Sequence, residues 1–73
     1  MTITFENRAA EIAANIVAAQ CQDLGMTNIS RNEDGTVWAS MGDTDFLLRW
    51  DVTSQQVRIL GRLRVAPQLK VPA

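Results

Sequence analysis

Residues 36–50 read TVWASMGDTDFLLRW, two apolar-rich runs separated by Gly42-Asp43-Thr44-Asp45. Each run is five or six residues long, the usual length of a strand and too short for a stable helix. Val37, Trp38, Phe46 and Trp50 are β-branched or aromatic types that suit a pleated surface. The stretch therefore predicts an antiparallel hairpin with strands Thr36 to Met41 and Phe46 to Trp50. The second run is nearly continuous in apolar residues, which places it inside a sheet.

The pattern extends in both directions. Upstream, Thr27 to Arg31 precedes Asn32-Glu33-Asp34-Gly35, where Asp-Gly supplies the positive φ of a hairpin turn. Downstream, Asp51 to Gln55 reads as a third turn and Val57 to Val65 as the longest strand, with Gly61 marking a bulge or bend. Pro67 and Pro72 end regular pairing, so residues 1–66 read as one compact domain and 67–73 as a short tail. Short turns permit only antiparallel neighbours, which makes the sheet a meander.

The amino-terminal third reads differently. Phe5, Ala9, Ile12, Ile16 and Ala19 recur at helical spacing, with Arg8, Glu11, Asn15 and Gln22 opposite. A helix from about Phe5 to Leu24 follows, capped by Thr4 or Asn7. If Asn7 is the cap, Thr2 to Phe5 can form a short leading strand. Gly25 stands where a left-handed C′ residue is wanted, with Met26 placed to fold back onto Cys21. The expected fold class is α+β: one N-terminal helix on a three- to four-stranded antiparallel meander sheet, in the order αββββ.

Strict alternation sorts the strand residues onto two faces. Val37, Ala39, Met41, Phe46, Leu48, Trp50, Val57, Ile59, Leu63 and Val65 form one apolar set, expected beneath the helix. Ile12, Ile16, Val37, Phe46, Leu48, Trp50 and Ile59 are the expected most buried side chains. The opposite face collects Trp38, Leu47, Arg49, Arg58, Leu60, Arg62 and Arg64. Trp and Arg are enriched at binding hot spots, so Trp38, Arg49, Arg58, Leu60, Arg62 and Arg64 are the expected partner-binding residues. A solvated edge strand guarded by its own charges is the plainer reading of the same arginines. Beside the helix's main stripe lies a second one of small residues, Ala10, Ala14, Val17 and Cys21, expected to be a homodimer contact.

With 73 residues the chain sits near the lower limit for a self-sufficient core. Cys21 is the one cysteine and there is no histidine, which excludes an internal disulfide and a zinc site of Cys/His type. A lone cysteine suits a reducing compartment, and the expected location is cytoplasmic. Ala9 to Cys21 resembles a signal-peptide core in composition, but Glu11 and Asn15 interrupt it and no basic leader precedes it. No run approaches the length of a membrane span.

Net charge is −1, but its distribution is uneven. Residues 1–36 hold Glu6, Glu11, Asp23, Glu33 and Asp34 against Arg8 and Arg31, whereas from Gln56 onward Arg58, Arg62, Arg64 and Lys70 stand with no acid. Such a basic strand favours an acidic partner.

Catalytic equipment is sparse. There is neither histidine nor tyrosine, and Cys21 near a helix C-terminus beside Asp23 is expected to be an inert thiol. Asp43 and Asp45, like Glu33 and Asp34, read as turn chemistry rather than metal ligands, and no phosphate-binding glycine loop occurs. The expected function is a non-catalytic protein-interaction module without cofactor or metal, an inhibitor or adaptor of the kind common among phage and plasmid accessory proteins. Two alternatives compete with it. One is nucleic-acid binding with Trp38 stacking on bases and the Arg-rich last strand on phosphates, against which stands the acidic isoelectric point. The other is a structural subunit that pairs through its last strand.

Overall fold

A computed structural model of the chain describes residues 3–64. The elements are α1 (Arg8–Asp23), β1 (Thr27–Arg31), β2 (Val37–Met41), β3 (Thr44–Asp51) and β4 (Gln56–Arg64). The strands form one antiparallel sheet in the order β1-β2-β3-β4, and α1 packs across one face against β1, β2 and β3. This is the helix-on-meander architecture that the hairpin spacing predicts. The expected tail at 67–73 lies outside the described residues, as does Val65.

The helix starts one turn later than periodicity alone suggests. Asn7 is the cap, its Oδ1 accepting from the Ala10 N–H at 2.8 Å. Residues 3–5 form no strand; the chain is held there by the Glu6 N–H donating to the Glu33 carbonyl. At the other end Met26 N–H donates to Cys21 O and Gly25 N–H to Gln22 O, with Gly25 at φ +80°. These are the two bonds of a Schellman stop, as the Gly25 reading expects.

The helix presents the opposite stripe from the expected one. Ala10, Ala14, Val17 and Cys21 face the sheet and are buried, whereas Ile12 is 48% exposed, Ala9 and Ala19 are exposed and Ile16 is half-buried. The small-residue stripe is thus the core itself, and it offers no contact to a second copy. The reason is close approach. A Cβ on Gly35 (φ +94°) would stand 3.1 Å from the Cα and carbonyl of Ala10, so the turn and the helix touch backbone to backbone. Only small side chains fit between elements that near.

The core consists of that stripe with Val37, Ala39 and Leu48, flanked by partly buried Phe5, Met26, Ile29, Phe46, Trp50 and Val57. Val37 and Leu48 are buried as expected, and Phe46 and Trp50 are half-buried. Met41 and Ile59, expected beneath the helix, are exposed because α1 does not extend over that corner of the sheet.

Candidate interaction surface

Residues directly opposite in an antiparallel ladder share a face, so the register decides which side chains meet. Trp38 pairs with Leu47, and Leu47 with Gly61, in one row across the face away from the helix, where Ser30 also pairs with Trp38. Arg49 and Arg58 oppose each other on that same face. Between them and Gly61 the ladder slips by one residue: Leu48 pairs with Ile59, but Leu47 pairs with Gly61. Leu60 is the extra residue, a β-bulge beside the glycine.

The bulge reverses the alternation of everything after it. Phe46, on the helix side, pairs with Arg62, and Asp45, on the opposite side, pairs with Leu63. Arg62 is therefore parted from Trp38, and Leu63 takes the place that strict alternation assigns to an arginine. Arg64 closes β4 opposite Thr44, and its side chain lies outside the described residues. The expected Trp/Arg surface is thus divided: Trp38, Arg49 and Arg58 remain together, Leu60 sits at the bulge, and Arg62 moves to the other face.

Two of the cations near Trp38 are already engaged, while Arg49 shares its face two residues along β3 from Leu47. The indole is 37% exposed and, with Leu47, lines a wide cavity of about 820 Å³ bordered by Ile3, Glu6, Glu33, Asp34 and Arg31. Arg31 is turned to the helix side, donating to Asn15 Oδ1 and lying 5.6 Å from the centre of the Phe5 ring. Arg58 Nε is held by Asp51 Oδ2 at 2.7 Å. That pair offsets the repulsion between the directly opposed Arg49 and Arg58. Asp51 also accepts from the Ser54 hydroxyl and the Thr53 N–H; the Ser54 bond first, then the Arg58 contact, holds its carboxyl below the usual range.

On the helix side the bulge and the short reach of α1 leave an apolar groove of about 300 Å³ between the helix C-terminus and β4. Cys21, Leu24, Met26, Met41, Phe46, Leu48, Val57 and Ile59 line it, with Gln20 as the polar exception. Leu24 is 69% and Ile59 57% exposed. Alternation alone misses this groove, because it counts Met41 and Ile59 as core. The available signal is the pair Leu24 and Met26, apolar residues on either side of the glycine that ends the helix.

Cys21, Asp34 and Asp45 are engaged structurally. Burial pushes the Cys21 thiol up, away from reactivity. Asp45 accepts from the Ser40 hydroxyl across the second hairpin, and Asp34 accepts from both the hydroxyl and the N–H of Thr36. Among the described residues no three His, Cys, Asp or Glu side chains stand close enough to hold a metal ion, and no helix is long and apolar enough to cross a membrane.

No family model matches the chain. No curated protein and no solved structure matches it either. The functional reading therefore rests on the surfaces themselves. Among the described residues, the exposed large apolar side chains Leu24, Met41, Ile59, Leu60 and Leu63 lie on β4 or at the neighbouring corner, while Ile12, Trp38 and Val52 lie elsewhere.

Proposed function

We propose that this chain is a protein-interaction module without catalysis of its own, acting as an inhibitor or adaptor, and that it engages its partner at the β4 side of the sheet. One observation carries the reading: the exposed side chains of Leu24, Met41 and Ile59 line an apolar groove that the protein's own helix stops short of covering. Contiguous apolar surface of this kind, edged by polar residues, marks a binding site in a folded protein. The lining of that groove is apolar apart from Gln20, which suits the docking of an apolar segment. Nucleic-acid binding has less support, since the bulge puts Arg62 on the face away from Trp38 and so parts the ring that would stack from that cation.

The test is affinity capture from the native host with the wild-type chain beside Ile59→Glu, each with and without nuclease. The expected outcome is a protein retained by the wild type, unaffected by nuclease and lost with Ile59→Glu. Retained nucleic acid whose binding falls steeply with salt would overturn the reading.

A further inference from the structure

β4 is an edge of the sheet, and its outer side pairs with no strand among the described residues. It is nine residues long, whereas the other edge, β1, has five and is broken by a bulge near Asn28, which sits at φ +52°. Apolar side chains emerge from β4 on both faces: Ile59 beside the groove, Leu63 on the opposite side. Interleaved with them, Arg62 stands on the groove side next to Phe46 and Arg58 on the other. Between Gln56 and Arg64 there is no acid.

That charge pattern discriminates between occupants of the edge. A second copy pairing β4 to β4 would bring two arginine-rich strands together with no carboxylate between them, and like charges directly opposed are destabilising. An acidic strand meets the opposite condition. We propose that β4 accepts an extended acidic segment of a partner protein as a fifth antiparallel strand, one apolar side chain entering the groove at Ile59 and its carboxylates meeting Arg62 and, in competition with Asp51, Arg58. The inference rests on the protein-binding reading above and gives it a partner chemistry. Register fixes the pattern. Read from its own N-terminus, the segment carries an apolar residue opposite Leu63, then an acid opposite Arg62. One or two residues then pass the bulge, before an apolar residue opposite Ile59 and an acid opposite Arg58. Backbone bonds supply affinity in this mode and the alternate side chains supply specificity.

The experiment selects binders from a random peptide library displayed on phage against the full chain, then maps the enriched peptide by amide hydrogen exchange and chemical-shift change. Enrichment of the apolar–acid–spacer–apolar–acid pattern is expected, with new protection along β4. Arg62→Glu should lower the affinity of that peptide roughly tenfold or more while leaving the thermal melt in place. N-methylation of the peptide amides that face β4 should abolish binding, and N-methylation of the alternate ones should not. Peptides that bind at Trp38 and leave β4 unprotected would overturn the edge proposal while the protein-binding reading stands. Failure to enrich any peptide counts against both. Protection of the β4 edge in the free chain, with a dimer mass by light scattering, would overturn the proposal in favour of a second copy.

Discussion

Gly35 shows how a single residue sets the distance between helix and sheet. It closes the first hairpin, donating its N–H to Asn32 O at 3.1 Å, while its φ of +94° and its approach to Ala10 exclude a side chain. Gly35→Ala combines a strained backbone with a clash against main chain, so it should destabilise the fold by about 2 kcal/mol or more. A urea denaturation midpoint measures it; no shift would mean the turn can relax away from the helix. Two carboxylates act on the same local scale. Asp34 lies below the usual range because the Thr36 hydroxyl and N–H donate to it, and Asp51 chiefly because the Ser54 hydroxyl does. A carboxyl depressed in the folded state contributes stability above its unfolded value of about 3.9, and that contribution is lost as pH falls through the folded value. The melting temperature should therefore hold steady from neutrality down to about pH 5 and decline below about pH 4. Asp34→Asn with Asp51→Asn should flatten that acid limb, and an unchanged slope in the double variant would assign the decline to other groups.

At the scale of the elements, strand positions were legible because turn chemistry brackets each of them. Asp34-Gly35, Gly42-Asp43 and the Asp51 turn all stand where chain reversals occur, and β1 spans the expected Thr27–Arg31. The helix's stop was equally legible from Gly25, but its inward face was not. Two apolar stripes compete on α1, and hydrophobicity favours the one with Ile12 and Ile16 over the one with Ala14 and Val17. What decides between them is the Ala10–Gly35 approach, a long-range steric fact that periodicity does not contain. The assignment has a direct check. Val17→Ala removes two methyl groups from a site with no exposure and should cost about 2 kcal/mol, whereas Ile12→Gln should stay within about 0.5 kcal/mol of wild type. Chemical denaturation of both variants measures the contrast, and the reverse order would return Ile12 to the core.

Across the whole molecule, one inserted residue determines how charge and apolar surface are shared between the two faces of the sheet. Gly61 is a readable sign of a bulge, but locating the extra residue requires knowing the partner in β3. Only the pairing of Leu48 with Ile59 and Leu47 with Gly61 singles out Leu60. Strict alternation consequently places Arg62 beside Trp38, when it stands beside Phe46 and the apolar groove. Deleting Leu60 separates the two accounts. In a regular strand a one-residue deletion turns every later side chain to the other face, which here would drive Arg62 and Leu63 into the wrong surroundings and cost much of the fold. In a bulge the deletion removes the unpaired residue and lets Ile59 and Gly61 follow one another against Leu48 and Leu47, with Phe46 still opposite Arg62. The deletion variant should therefore melt within about 5 °C of wild type, a change of order 1 kcal/mol in a domain this small. Cross-strand nuclear Overhauser contacts between the backbones of Phe46 and Arg62 should persist. A peptide selected on β4 should still prefer acids opposite Arg62, because that side chain keeps its place at the groove. Unfolding of the deletion variant, or a wild-type ladder that sets Phe46 opposite Gly61 rather than Arg62, would show that Leu60 is part of the regular strand. Arg62 would then belong with Trp38 after all, and the acidic-strand site would lose its basic rim.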